Sequence, residues 1–150
     1  MRSTADVASV VGKGLFAGAV GTVFMTVSST IEAKLRGRES SSAPADAAGK
    51  VLGVQPRDKA GQARFSTAVH WGYGTGWGAV RGLIALTDPS PPAAAAIHWG
   101  AIWGSSLVML PALDVAPAPW KQPPSGVAMD AFHHVVYAVG ASAAYAVIDR

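Results

Sequence analysis

Four long apolar stretches, each with very little charge inside it, constrain this chain more than any other feature. They span Val7–Ile31, Phe65–Leu86, Ala93–Leu113 and Val127–Ile148. Each has about the 20 residues that a helix needs to cross the hydrocarbon core of a bilayer. The sequence therefore predicts an all-α integral membrane protein, a single domain with four transmembrane helices in an antiparallel bundle. The first stretch is interpreted as a retained span, because it is longer than the apolar part of a signal peptide and is interrupted by Lys13.

The composition agrees with a lipid environment. Charged residues make up 14% of the chain, compared with about 25% of an average soluble domain, and they lie mostly outside the four stretches. A soluble bundle of alanine-rich buried helices is the alternative architecture. Because the chain contains no cysteine, thiol catalysis and cysteine-ligated zinc are excluded.

The first loop, residues 34–62, is the most basic part of the chain. It contains Lys34, Arg36, Arg38, Lys50, Arg57 and Lys59. The positive-inside rule places this loop in the cytoplasm, and we assign the net charge of +3 to topology and anionic lipid rather than to nucleic acid. Within the loop, serines followed by Pro44 resemble a helix start, so Ala45–Val54 is expected to form a short helix on the membrane surface.

Pairs of glycines four residues apart are predicted to be the helix-packing sites. The predicted positions are Gly14, Gly18, Gly72, Gly76, Gly100 and Gly104. Small residues at this spacing let helix backbones approach closely in lipid. Since four short helices offer more small-residue surface than one bundle needs, some of these faces are also candidates for contact with another subunit.

Ionisable residues are predicted to gather where the first helix ends and the second and fourth begin. They are Glu32, His70, Asp130, His133 and His134. Intramembrane ionisable residues usually pair or line a polar cavity, so this group is a candidate ligand set for a divalent metal or a carrier of protons. Haem is less favoured, because no pair of histidines is aligned on opposing helices. The simpler interpretation is an Asp–His hydrogen bond that fixes helix register.

Motifs of known catalytic centres are missing from the sequence: there is no GxSxG, P-loop or HExxH. The prediction on enzymatic activity therefore leans toward none, and no cofactor is predicted. Arg81, near the end of the second stretch, is expected to extend to the membrane surface or to pair with Asp88.

The second half of the chain resembles the YagU-like family of small bacterial inner-membrane proteins. The likeness lies in the run Ser106-Leu-Val-Met-Leu-Pro-Ala-Leu, then Ala118-Pro119-Trp120, then Asp130-x-x-His133-His134-x-x-Tyr137. The resemblance implies a multi-pass protein without an established catalytic mechanism, and it carries over no catalytic residues.

These observations predict a non-catalytic, multi-pass protein of the bacterial inner membrane. Its expected partners are the lipid bilayer and other membrane subunits or further copies of itself. The alternative function is a small transporter or channel-like protein whose Asp/His/Glu cluster binds protons or a divalent metal.

Overall fold

Helices account for almost all of the described chain. In the computed structural model, residues 3–39 and 41–150 form five α-helices and one 3₁₀ turn, with no strand among them. The helices are α1 (Thr4–Arg36), α2 (Ala43–Leu52), α3 (Lys59–Ala85), α4 (Pro91–Ala112) and α5 (Pro124–Ile148). The all-α prediction is confirmed, and the four apolar stretches coincide with the four long helices, α1, α3, α4 and α5.

Local sequence sets the helix ends. α1 begins at a capping box in which Ser3 and Asp6 exchange side-chain and backbone hydrogen bonds. It ends at Gly37, whose φ of +61° is a left-handed conformation that glycine adopts without steric penalty. Asp58 caps α3 by accepting a hydrogen bond from the Gly61 amide at 2.6 Å. α4 and α5 both have proline in the first turn, where no amide donor is needed.

The basic loop does contain a short helix, α2. It begins and ends two residues earlier than the predicted Ala45–Val54 segment. α2 packs against α3, and its Lys50 Nζ donates hydrogen bonds to the carbonyls of Leu113 and Asp114 at 2.6 and 3.0 Å. The first loop is thereby tied to the end of α4.

Three of the long helices, α1, α4 and α5, are apolar enough to cross a membrane. α3 has sufficient length, with 27 residues, but its many glycines together with Arg64, His70 and Arg81 keep it below the apolarity of the other three. The described helices therefore have the composition of a multi-pass membrane protein, with three candidate transmembrane helices rather than the four predicted. A crossing by α3 requires its polar groups to be sheltered by protein.

α1 is the helix on which the bundle is assembled. It packs against α3 and α5, while α4 packs against α5 and α3. Gly21 of α1 lies against Tyr137 and Ala141 of α5, so that a Cβ at Gly21 would come within 3.0 Å of both side chains. The core cluster consists of Ile102, Tyr137, Ala138 and Ala141, with Met25, Trp77 and Trp99 packed against it.

The α1–α3 contact is a backbone contact made by glycines from both helices. Gly14 and Gly18 of α1 face Gly78 of the antiparallel α3, and a Cβ at Gly14 would overlap the Gly78 carbonyl oxygen. A Cβ at Gly18 would come within 2.7 Å of the Gly78 Cα. Gly74 and Gly82 extend the contact in both directions, against Thr22 and Val10. The inward row on α3 is therefore Gly74-x-x-x-Gly78-x-x-x-Gly82.

The other four predicted packing glycines make no such contact with the described residues. A Cβ built at Gly72, Gly76, Gly100 or Gly104 meets no atom within 4 Å. On α3 the reason is geometric: residues two apart lie about 200° apart around a helix of 3.6 residues per turn. When Gly74 and Gly78 face α1, Gly72 and Gly76 must face outward.

The backbone contact is expected to tolerate no side chain at Gly14. Gly14→Leu should lower the free energy of unfolding by about 1–3 kcal/mol, because an added side chain in a close-packed contact forces the backbones apart. Gly12→Leu is the matched control: it lies on the same helix, and a Cβ there meets nothing within 4 Å. Thermal unfolding in mild detergent compares the two, and equal losses of stability would contradict the α1–α3 contact.

Candidate functional site

The five predicted site residues lie in the same half of the bundle but form three separate groups. This half contains the end of α1 and the beginnings of α3 and α5. The three groups are Glu32 with His133, His70 with Thr26, and Asp130 with His134. Among the described residues, no group of three or more histidines and carboxylates is placed to hold a metal ion.

Glu32 is the centre of the most highly charged group. Its carboxylate contacts both Arg38 and Arg36, the latter with an Nε–Oε1 distance of 3.0 Å. His133 approaches from α5, with Nε2 3.8 Å from Oε2 of Glu32, and its Nδ1 forms a 2.8 Å hydrogen bond with Ser28 Oγ. Because two guanidinium groups already neutralise the carboxylate, this group is better suited to joining α1 and α5 than to binding another cation.

His70 is a hydrogen-bond partner of α1 rather than of another ionisable residue. Its Nε2 lies 2.9 Å from Thr26 Oγ1. The Thr26 hydroxyl donates its one proton to the carbonyl of Thr22 at 2.7 Å. His70 must therefore donate from Nε2, which fixes its tautomer and ties α3 to α1 below the glycine contact.

Asp130 and His134 connect α5 to α4 and to its own backbone. The Trp103 indole nitrogen of α4 donates to Asp130 Oδ2 at 2.9 Å, and His134 Nδ1 donates to the Asp130 carbonyl at 2.8 Å. A second indole, that of Trp99, donates to the Ala131 carbonyl at 3.2 Å. These contacts place the two tryptophans of α4 along α5, where they fix the register between the helices.

The most deeply buried polar side chains include a histidine on α4 and a tyrosine on α5. His98 has no exposed surface; its Nε2 donates to the Trp77 carbonyl at 2.9 Å, and its ring lies 5.4 Å from the ring of Tyr137. The Tyr137 hydroxyl donates to the Gly74 carbonyl at 2.6 Å. Both bonds end on backbone carbonyls of α3, so they hold α4 and α5 against the glycine-rich helix.

Arg81 does not extend to the surface as expected. It is only 5% exposed, and its Nε donates to Ser142 Oγ of α5 at 3.0 Å, while Asp88 is not among its ion-pair partners in the described chain. The sequence held a signal for this placement. Arg81 follows Gly74 and Gly78 by seven and three residues, which puts it on the same inward face of α3.

Comparisons with protein-family models, with curated proteins and with solved structures find no match for this chain.

Proposed function

We propose that the protein is a non-catalytic integral membrane protein with four transmembrane helices, located in the bacterial cytoplasmic membrane. In this proposal it is a small subunit of a homo-oligomer or of a larger membrane complex. The observation that carries the proposal is the presence of two outward-facing glycine pairs, Gly72 and Gly76 on α3 and Gly100 and Gly104 on α4, where an added Cβ would meet no atom of another described helix within 4 Å.

Outward glycines in a helix interior need a compensating contact. Each costs about 0.5–1 kcal/mol relative to alanine, and within this chain these four positions gain no packing in return. In lipid, glycines four residues apart are the usual means by which helices from different chains approach closely. A partner helix against these faces would supply the missing contact.

The composition of α3 supports the same proposal. Its exposed positions include Thr67, Gly72 and Gly76 as well as Trp71, Tyr73 and Leu83, whereas α1 exposes a longer series of large apolar side chains such as Phe16 and Phe24. α1 is thus suited to contact with lipid, and the glycine-lined part of the α3 surface is better suited to contact with protein. A partner on the outer face of α3 would also shelter a helix that is less apolar than the other three.

The proposed orientation rests on charge. Loop 34–62 contains most of the basic residues that lie between the four apolar stretches, and the positive-inside rule places such a loop in the cytoplasm. With four spans, residues 113–123 lie on the cytoplasmic side and residues 86–90 on the opposite side. The bacterial inner membrane is inferred from the resemblance to the YagU-like family.

Single cysteines test whether α3 crosses the membrane, because the chain has none of its own. We expect Ser90→Cys to react with a membrane-impermeant maleimide in intact cells, and Ser41→Cys and Ser125→Cys to react only after permeabilisation. If α3 did not cross, position 90 would be on the same side as position 41. Equal labelling of these two positions in intact cells would overturn the four-span proposal.

Oligomerisation through the open glycines is tested by substituting them in pairs. Native mass spectrometry in mild detergent should show a complex larger than one chain for the wild type and for the control Gly12→Leu. The double variant Gly72→Leu/Gly76→Leu, or the corresponding pair at Gly100 and Gly104, should shift the protein toward monomer because leucine keeps the partner backbone at a distance. A wild-type monomer, or a complex that neither pair disturbs, would contradict the proposal.

A second candidate function is a small transporter or channel-like protein that binds protons or a divalent metal. It is favoured by one observation, the buried His133 Nε2, which has no hydrogen-bond partner and lies 3.8 Å from the Glu32 carboxylate. The two arginines on Glu32 make a proton a better fit than a metal, because a divalent cation would be repelled by them.

Proteoliposomes with an imposed pH gradient test this second candidate. It predicts a proton flux that His133→Ala abolishes and that His70→Ala, whose ring bonds a threonine, leaves in place. Zinc retained by the purified wild type and lost in His133→Ala would support the metal form. Flux equal to that of empty vesicles, together with no retained zinc, would remove this candidate.

A further inference from the structure

Arg81 is a charged side chain enclosed in the half of the bundle that contains the beginning of α1. It is 5% exposed. Its guanidinium carbon lies 4.4 Å from the centroid of the Tyr145 ring, and its Nε donates to Ser142 at 3.0 Å. Both partners belong to α5, so the guanidinium lies between α3 and α5 near the end where α1 begins.

The side chains that contact Arg81 include no carboxylate paired with its guanidinium group. Of the ion pairs within residues 3–39 and 41–150, none includes Arg81. The carboxylate of Asp149, at the end of α5, is bound by Lys13 at 2.7 Å. An aromatic face and a hydroxyl attract a guanidinium, but neither neutralises it, and an uncompensated buried charge is strongly unfavourable.

Two polar atoms at this place lack hydrogen-bond partners. They are Nη1 of Arg81 and the hydroxyl oxygen of Tyr145, both buried. Tyr145 is 2% exposed, and its ring stacks under the guanidinium. A buried N–H group that donates to nothing costs free energy comparable to a lost hydrogen bond, so each of these two donors would be stabilised by an acceptor.

A pocket lies beside Tyr145 at this end of the bundle. Arg81 does not line it, but its lining includes Tyr145 and also Ala85, which is one helical turn beyond Arg81 on the same helix. The lining also includes Asp6, Lys13 and Asp149. The lining is therefore mixed in charge, and none of the ion pairs within residues 3–39 and 41–150 joins it to Arg81.

We propose that Arg81 and Tyr145 bind a singly charged oxyanion of the phosphate class that enters through this pocket. Arg81 Nη1 and the Tyr145 hydroxyl donate to its oxygens, and the guanidinium neutralises its charge. Planar guanidinium groups bind phosphate oxygens by directed hydrogen bonds. The carboxylates in the pocket lining disfavour a more highly charged anion. The same chemistry is offered by free inorganic phosphate and by the phosphodiester of a lipid headgroup.

Binding is tested on delipidated protein in dodecyl maltoside, a detergent without phosphate. The midpoint of thermal unfolding is measured against inorganic phosphate at constant ionic strength, with chloride as the reference salt. A second arm compares phosphatidylglycerol with a diacylglycerol of the same acyl chains, which carries no phosphate. A shift with phosphate identifies the free anion, and a shift with phosphatidylglycerol but with neither inorganic phosphate nor diacylglycerol identifies the lipid headgroup.

Substitutions assign the shift to this site. Arg81→Gln should weaken binding by about tenfold or more, because a charged hydrogen-bonding group is lost. Tyr145→Phe keeps the ring under Arg81 and removes only the hydroxyl, so it should fold and bind about threefold to tenfold more weakly. Arg64→Gln, an exposed arginine on the same helix, should bind as the wild type does.

The proposal is overturned if neither inorganic phosphate nor phosphatidylglycerol shifts the unfolding midpoint of the wild type. That result is expected if Arg81 Nη1 and the Tyr145 hydroxyl are hydrogen-bonded only to water. The proposal is also overturned if Arg64→Gln weakens binding as much as Tyr145→Phe does, because the anion would then bind basic residues without selection. The test does not depend on oligomerisation, since the residues involved all lie within one chain.

Discussion

The close backbone contact between α1 and α3 is the interaction on which the rest of this bundle depends. Helices in lipid gain little from burying apolar side chains against one another, so they associate where their backbones can approach closely. Gly14 and Gly18 provide that approach on α1, and Gly74, Gly78 and Gly82 provide it on α3. α1 then packs against α5 with its neighbouring face, and α4 completes the bundle.

Close approach also explains how polar side chains are accommodated inside the bundle. Along its glycine-rich segment, α3 has carbonyls within reach of neighbouring helices: Tyr137 donates to the carbonyl of Gly74, and His98 donates to that of Trp77, next to Gly78. On α1, the Thr22 hydroxyl donates to its own Gly18 carbonyl at 2.8 Å. The interior thus uses backbone acceptors for most of its donors, which makes each helix-to-helix register specific.

The sequence predicted the helices well and their contacts only in part. Apolar length alone located the four long helices, because a stretch of that kind has few alternatives in lipid. Spacing alone did not decide which of the overlapping glycine pairs on α3 faces α1, since Gly72/Gly76 and Gly74/Gly78 have the same local pattern. Only the inward row has a third glycine at the same spacing, Gly82. The positions of Glu32 and His133 along their helices correctly predicted that the two residues lie near each other. Partners such as Ser28 depend on how each helix is rotated about its axis, which composition does not specify.

α3 brings these observations together, because both of its glycine rows, the inner and the outer, are better suited to contact with protein than with lipid. Its inner face is occupied by the glycine row and by Arg81, which requires a counter-charge inside the protein. Its outer face has Gly72 and Gly76, where an apolar side chain such as Phe16 or Phe24 on α1 would be expected if lipid were the neighbour. Polar groups of such a helix are stable at membrane depth only when protein or a bound polar group covers them. The same requirement therefore underlies the proposed partner on the outside and the proposed anion on the inside.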